Sequence, residues 1–554
     1  MKKYLVDYWW KIDHFFERRR TLVLLLALVV FLRIPSYFEP YWYGDEAIYL
    51  TVGNALNQGK TLYRDIVDHK TPIIYYLARV PNQLSFRLLL TLWMFPIVTA
   101  FYYLAQKLLK KSKLAWLATA TIIIVTTLPT FEGMIPNGEL FVLGFFLPGL
   151  AILYSVLEKT NLRHYPSLRF KTFINIHQLI ALAKCTLGLK QKLSLLLAGF
   201  LFGCAILTKV PAVFDVVAAY LLVGFVVISY QQKIKTKQSY FSAVILLIVE
   251  VFWMTLGLIL PLILSILYFT LHNAYADYLS FGLLYNFHYT GSWIPTSTLP
   301  LASLFYSLKG KLITLCLITF TLIALRHKLK PLELFVTAWT WWALVAASLS
   351  NRPYPHYFIQ VLPALVLFCF AFGEKLVMLF SKKPSHKQEL LSYSLVAVTT
   401  ILFVLFVNAC LGFWSNRYSV SEYYQRLYKV MTGAISYSNY QLSFNPIIAD
   451  NLLATELILK EQPNELYIWG TNPMLYAQTK TMPSDKFTVL FHVADLGVYD
   501  QTVENVIFRA PPFIIVMKNA ENPPESLQRY INNNYLPLRN LEFMTIWHRQ
   551  AIFQ

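Results

Sequence analysis

Charge is scarce in this chain of 554 residues. Asp, Glu, Lys and Arg make up 14% of it, against roughly 25% in soluble domains. There is too little polar surface to wet a protein of this size, so the solvent for most of it is lipid. Acidic residues are scarcer still, 29 against 48 Lys and Arg, for a formal charge of +19. In a soluble protein that excess would suggest nucleic acid. Here the cations fall in short loops between apolar runs, where they set membrane orientation, and nucleic-acid binding is discounted. Cysteine is sparse as well. Cys185, Cys204, Cys316, Cys369 and Cys410 lie in or beside apolar segments, none in a CxxC spacing, so neither a disulfide framework nor a cysteine metal site is indicated. No A-x-A-like cleavage site follows Arg18-Arg19-Arg20 and the apolar Thr21 to Leu32 run, and a retained first helix is expected rather than a removed signal peptide.

What is abundant is apolar sequence, 56% of the chain, with 16% aromatic. Runs of about 20 residues, enough to cross a hydrocarbon core as helix, recur up to about residue 413 and then stop. They predict an α-helical polytopic membrane protein of about eleven spans, near residues 21–38, 85–106, 114–131, 136–157, 193–209, 211–230, 241–269, 304–325, 332–350, 356–380 and 390–413. Basic residues concentrate at the N-terminus, at Lys107/Lys110/Lys111/Lys113, between Lys159 and Lys192, at Lys233/Lys235/Lys237, at Arg326/Lys328/Lys330 and at Lys382/Lys383/Lys387. These are alternate loops, and the positive-inside rule makes them cytoplasmic. Segments 39–84, 132–138, 271–303 and 351–355 then face out, as does 414–554. That last region alternates short β runs (Glu465 to Trp469, Pro512 to Met517, Phe543 to Trp547) with amphipathic helices (Asp450 to Lys460, Glu525 to Asn533), the pattern of a small α/β domain. The expected organisation is a membrane module over 1–413 and an extracytoplasmic α/β domain over 414–554. Merging the two helices around Lys209 and Pro211 would reverse every orientation downstream.

The first outer loop concentrates the chemistry. It reads Tyr41-Trp-Tyr-Gly-Asp45-Glu46, then Gly59, then Tyr63-Arg64-Asp65-Ile-Val-Asp68-His69-Lys70-Thr71-Pro72. Ala47, Ile48, Leu50, Thr51, Ala55 and Leu56 fit an apolar stripe of period 3.6 and Gly59 fits the C′ position, so a helix is expected to lie flat in the interface. Asp45 alone fits a helix cap as well as a catalytic group. Four carboxylates with Arg64, His69 and Lys70 in one short stretch exceed what a cap needs, because unpaired charge close to a membrane is costly. Lys70, ahead of Thr71-Pro72, would hold an ammonium at headgroup level, as a phosphate ligand or as a snorkelling lysine. The second outer loop carries Glu132, Asn137 and Glu139, and Glu139 would also be favoured by the dipole of the helix it opens. Lys209, flanked by apolar residues in Leu207-Thr208-Lys209-Val210-Pro211, needs an anionic partner or a route to the interface. Ser350-Asn351-Arg352-Pro353-Tyr354-Pro355-His356-Tyr357 is a turn stiffened by two prolines, able to clamp a phosphate or simply to connect two helices. The Tyr- and Phe-rich segment from His272 to Trp293 fits an interfacial belt better than a sugar platform.

In these motifs, in this order, the sequence resembles the polytopic lipid-dependent glycosyltransferases of the GT-C type, the family that includes protein O-mannosyltransferases and the aminoarabinose transferases acting on lipid A. The Asp45-Glu46 pair, the Tyr63 to Pro72 run, Asn137-Gly138-Glu139, Leu207-Thr208-Lys209 and Arg352 to Tyr357 carry the resemblance, which covers the whole membrane region; Glu465 to Tyr476 adds to it. It implies that Asp45 is the catalytic base, with Glu46 beside it, and that Lys70 belongs to the lipid-phosphate site. Two departures stand out. Glu132 and Glu139 occupy the second loop where aminoarabinose transferases are expected to carry an Asp, and the C-terminal region lacks the repeated β-trefoil of eukaryotic protein O-mannosyltransferases.

Displacement at the anomeric carbon of a lipid-phosphate sugar needs one base for the acceptor hydroxyl and cations for the departing phosphate, with no second carboxylic acid. The expectation is therefore an inverting transfer from a polyprenyl-phosphate sugar to a lipid, polysaccharide or protein acceptor, with Asp45 as base and Glu46 or Glu139 as positioning carboxylate. Lys70, Arg64, His69, Lys209, Arg352, His356 and Tyr357 are candidates for the donor and its phosphate; Asp65, Asp68, Asn137 and Glu139 are candidates for positioning or for the acceptor. No cofactor is called for. The outer-loop carboxylates could hold a divalent cation, but no ligand spacing asks for one. No cytoplasmic nucleotide-binding domain is visible for a nucleotide-sugar donor. A transporter or lipid flippase is the main rival, expected to place polar groups at the midplane as Glu250 would be, and a non-catalytic envelope-assembly protein is a third reading.

Overall fold

A computed structural model describes residues 20–161, 187–233, 237–291, 293, 302–381, 387–414 and 418–550. Most of the basic stretch between Lys159 and Lys192, together with Arg18, Arg19, Cys185, Lys235, Lys382, Lys383 and residues 294–301, lies outside the described residues. Among the described residues, eight helices are long and apolar enough to cross a membrane: Arg20–Phe38, Gln83–Leu108, Gly138–Lys159, Leu189–Ile206, Leu247–Leu271, Leu308–His327, Leu362–Phe380 and Lys387–Leu411. Three shorter apolar helices, Ser112–Thr127, Ala212–Val227 and Pro331–Ala347, occupy the places of the third, sixth and ninth predicted spans. Proline explains two differences at the ends. Pro129 closes the third helix early into a 3-10 turn, Pro129–Phe131, and Pro355 opens another, Pro355–Gln360, so the next long helix starts at Leu362 rather than 356. Around Lys209 the chain breaks as expected, with one helix ending at Ile206 and the next beginning at Ala212.

The bundle buries a continuous apolar core. Its outside is apolar too: on the Lys237–Leu271 helix Phe252, Leu256, Ile259, Leu260, Ile263, Leu264 and Leu267 are all exposed. So broad an apolar surface fits a lipid surrounding and no aqueous one. Inside, Leu189–Ile206 and Lys237–Leu271 approach closely through glycine. A Cβ on Gly199 would strike the backbone of Met254 and Leu258, one on Gly203 would strike Leu258 and Pro261, and one on Gly257 would strike Leu196. Gly199 and Gly203 form the small-xxx-small pattern that lets membrane helices meet backbone to backbone.

The two predicted sets of loops collect at opposite ends of the bundle. At one end Lys107 pairs with Glu158 at 2.7 Å, the Lys110 amide donates to Glu374 at 3.1 Å, Lys375 pairs with Glu389 at 2.6 Å and Tyr393 donates to Glu333. At the other, Arg33 donates to the carbonyls of Gly133 and Met134 at 2.9 and 3.0 Å, and Tyr423 donates to Glu39.

The C-terminal region holds a five-stranded sheet in the order β2-β1-β3-β5-β4, with β1 Glu465–Trp469, β2 Met482–Pro483, β3 Phe513–Met517, β4 Tyr535–Asn540 and β5 Met544–Arg549. β1 is parallel to β2 and β3, and β5 is antiparallel to β3 and β4. Alternation along β1 serves both faces: Leu466 and Ile468 pack with Ala454, Ile458 and Tyr476, while Tyr467 and Trp469 pack with Val503, Leu527 and Ile531. The sheet thus has a core on each side. Its second core takes in Val67 of the first outer loop. The Gly44–Asn57 helix is equally enclosed. Nine consecutive-turn residues, Ala47 to Gly53 with Ala55 and Leu56, are buried, and Asn54 donates to the Lys480 carbonyl at 2.8 Å. The helix therefore does not rest one apolar face on lipid as its stripe suggested; protein from the C-terminal region covers it.

Candidate functional site

Residues 60–70 fold back on themselves. Tyr63 takes a left-handed φ of 69°, its amide donates to the Ile66 carbonyl at 2.7 Å, and its hydroxyl donates to the Lys70 carbonyl at 2.7 Å. Tyr75 locks the next turn. Its hydroxyl accepts from the Lys70 amide at 3.0 Å and donates to Asp68 at 2.6 Å. Thr71 and Ile73 then donate to the carbonyls of Ile206 and Leu207 at 3.1 and 2.9 Å, which brings Lys70 to the chain break that holds Lys209.

Lys70 Nζ lies 3.2 Å from Asp45 and 3.9 Å from Asp68, and 4.8 Å over the Tyr49 ring. Asp45 does not cap its helix: the N-cap is Tyr43, and Asp45 sits in the first turn. Burial works against its charge, but Lys70 and His356 outweigh it and hold the carboxyl below its usual range. Burial likewise opposes the Lys70 ammonium, while Asp45, Tyr49 and Asp68 hold it protonated. The second pair is Lys209 with Glu139, with Lys209 Nζ 4.1 Å over the Tyr357 ring.

Both lysines open on one cavity of about 320 Å³. Lys70, His69, Glu139, Lys209, Tyr289 and Tyr357 form its polar wall, and Val213, Phe214, Leu308, Leu312, Ala346 and Ala347 its apolar one. Asp45 is not a wall of it; its side chain, 29% exposed, stands behind Lys70. Beside the cavity His356 Nδ1 is 2.5 Å from Glu132, and Tyr43 donates to the same carboxylate at 2.6 Å. Burial pushes the His356 imidazole down, but Glu139 and the Glu132 hydrogen bond prevail and its pKa is raised. Arg352 stacks over Tyr289 at 4.3 Å, and Tyr289 in turn stacks on His69 at 4.6 Å.

Compared with protein-family models and with curated proteins, the chain matches none.

The candidates predicted from sequence divide into two groups. Asp45, Asp68, His69, Lys70, Glu139, Lys209, Arg352, His356 and Tyr357 are brought together. Glu46 is not: it is buried on the far side of its helix, held by Arg87 at 2.8 and 2.7 Å and by Gln83 at 2.9 Å. Arg64 and Asp65 pair with each other at 2.8 Å, and Arg64 also donates to the His272 carbonyl at 2.9 Å; they border a separate polar pocket with Glu465 and Lys486. Asn137 is a turn residue, donating to the Glu132 carbonyl at 2.9 Å. Sequence reasoning left out Tyr43, Tyr75, Tyr289 and, above all, His492. The His492 ring, which burial pushes down to about 3, comes within 3.4 Å of Asp68. Lys311 was also left out; buried, it donates to the Ser348 carbonyl and to Asn351 at 2.7 Å each and so braces the turn bearing Arg352.

Proposed function

We propose that this chain is a membrane glycosyltransferase that moves a sugar from a polyprenyl-phosphate donor to a hydroxyl on an extracytoplasmic lipid, polysaccharide or protein. One observation carries the reading: a single cavity, apolar along one side, ends in Lys70 and Lys209, each with its own carboxylate partner. An isoprenoid chain needs the first property and its phosphate the second. In this reading the phosphate displaces the carboxylates from their lysines and frees Asp45. Asp45 then takes the proton of the acceptor hydroxyl, the hydroxyl oxygen attacks the anomeric carbon, and the carbon–oxygen bond to phosphate breaks, its electron pair leaving with the polyprenyl phosphate. A single displacement inverts the sugar. Glu139 serves as the positioning carboxylate, since Glu46 is committed to Arg87.

The proposed topology follows from the basic residues. Lys107, Lys110 and Lys375 gather at the bundle end opposite the cavity, which the positive-inside rule makes cytoplasmic. The three shorter apolar helices also cross, giving about eleven spans of the plasma membrane, with the N-terminus inside and residues 414–554 outside as a separate α/β domain.

The test is transfer of radiolabelled sugar from a panel of polyprenyl-phosphate sugars, comparing wild type with Asp45→Asn, Lys70→Ala and Lys209→Ala at matched expression. Loss of a general base should cost about 10²- to 10⁴-fold in rate, and loss of either lysine should raise the donor concentration needed. Unchanged transfer in Asp45→Asn would remove it as base, and retention of configuration would overturn the single displacement. Donor binding without transfer from any donor would favour a lipid carrier instead.

A further inference from the structure

A second cavity, of about 310 Å³, lies where the first outer loop meets the C-terminal region. The two cavities share one loop: Arg64 and Ile66 line this one, His69 and Lys70 the other. Facing that loop are Glu465 of β1, residues 482–486 and the Tyr499–Arg509 helix. Ten of the fourteen wall residues are charged or polar, and no aromatic ring is among the described ones. Nothing there offers the flat face on which an uncharged sugar ring packs.

The charges of the wall do not cancel. Arg64 and Asp65 satisfy each other: the guanidinium donates to both carboxylate oxygens at 2.8 and 2.9 Å, to the Thr61 hydroxyl at 3.0 Å and to the His272 carbonyl at 2.9 Å. Asp485 is held by Thr502 and Asn505 at 2.9 Å each. Lys60, Lys486 and Arg509 are left with one carboxylate, Glu465. Lys60 Nζ and Arg509 Nη1 reach the same oxygen, Glu465 Oε1, from the two sides of the junction at 4.0 and 3.6 Å, both too long for a hydrogen bond. Lys486 rests over the rings of Phe281 and Phe487 at 4.8 and 5.5 Å, with no carboxylate within 4 Å among the described residues. Ser484 adds a group of another kind. It is 5% exposed, and its hydroxyl finds no hydrogen-bond partner among the described residues, a cost that folded proteins avoid unless something else fills the place.

We propose that this cavity binds a phosphate group, free or as the monoester of a small polar molecule, between Lys60 and Arg509, with the Ser484 hydroxyl donating to it. A phosphate monoester carries about −1.5 to −2 charge at neutral pH and three strong acceptor oxygens, so it can meet two cations and a hydroxyl from different directions at once. The volume exceeds what a bare phosphate fills, and Gln501 and Asn505 offer amide groups to the rest of an ester. Bridging Lys60 to Arg509 ties the loop that carries Lys70 to the C-terminal region, and so steadies that lysine in the wall of the other cavity. The binding itself does not rest on the reaction of that cavity.

The test is calorimetric titration of the full-length protein in detergent with inorganic phosphate, glucose 1-phosphate and glucose, at constant ionic strength. Saturable binding of phosphate or of the ester is expected, with none of glucose, and the tighter of the two phosphates tells a free ion from an ester. Lys60→Ala and Arg509→Ala should each weaken it about tenfold, the effect of losing one hydrogen bond to a charged group. Arg529→Ala, which removes an exposed arginine paired with Glu525, should not. Lys70 and Lys209 are phosphate candidates too, so this binding must survive in the double variant Lys70→Ala, Lys209→Ala; loss there with retention in Lys60→Ala would assign the phosphate to the first cavity and overturn the site. Ser484→Ala separates binding from architecture. Without ligand its unfolding temperature should equal or exceed that of wild type, since the hydroxyl has no partner to lose, and its affinity for phosphate should fall. No saturable binding of either phosphate, or equal affinity in wild type, Lys60→Ala and Arg509→Ala, would overturn the proposal.

Discussion

Asp45 and Glu46 adjoin in sequence and serve different sides of one helix. Consecutive residues on a helix point about 100° apart, so Asp45 reaches Lys70 while Glu46 turns into the buried pair with Arg87. Removing the charge in Glu46→Gln should therefore cost stability, about 3 kcal/mol for a broken buried pair, and leave the rate per folded molecule nearly unchanged. Thermal unfolding set beside transfer per folded protein separates the two effects. The His356–Glu132 contact gives a pH signature. Because the folded-state pKa of His356 is raised, its contribution is fully present below about 6.5, the ordinary histidine value, and is lost as pH rises through the raised value. Wild type should lose thermal stability across that rise and His356→Gln should lose less; parallel curves for the two proteins would show that this pair contributes nothing. At this scale the sequence pointed to charged residues near a membrane, where charge demands a reason, and the fold brings Asp45, Lys70, Glu139 and Lys209 near one another. It kept Glu46 beside Asp45 as a positioning carboxylate, because only packing shows that Glu46 turns away to Arg87.

Elements were legible where burial is one-sided or complete. β1, β3 and β5 stood out because inner positions of this sheet are apolar, whereas β4 escaped: five of its six residues are exposed and it contains Pro537 and Arg539, the marks of an edge strand. β2, two residues long, leaves no pattern to find. The spanning helices were visible from their length of apolar sequence, but the contact between Leu189–Ile206 and Lys237–Leu271 was not, because glycine reads locally as a weak helix former. That contact makes a direct prediction. Gly199→Leu or Gly257→Leu should force the two backbones apart and lower folded yield sharply, while Gly224→Ala, where a Cβ meets nothing within 4 Å, should be tolerated. Fluorescence size-exclusion profiles of the three variants would show it; equal yields would mean the close approach is not needed for folding.

The whole molecule builds the polar wall of its cavity from distant parts, His69 and Lys70, Glu139, Lys209, Tyr289 and Tyr357, and His492 stands behind His69. Nothing local announces His492, a single histidine in a short helix more than four hundred positions after its partners, so only the folded chain reveals it. The enclosure of the Gly44–Asn57 helix has a further meaning when the chain is followed in time. A ribosome makes that helix among the first hundred residues and its cover, Pro473–Thr479 and the Lys480 carbonyl, among the last hundred. Through most of synthesis the helix has no protein lid, and its apolar side must lie against lipid or a chaperone. The described wall of the cavity, by contrast, ends at Gln360, so the last segment to dock closes the helix that carries Asp45 and not the cavity itself, and the two are finished at different moments in the life of the chain.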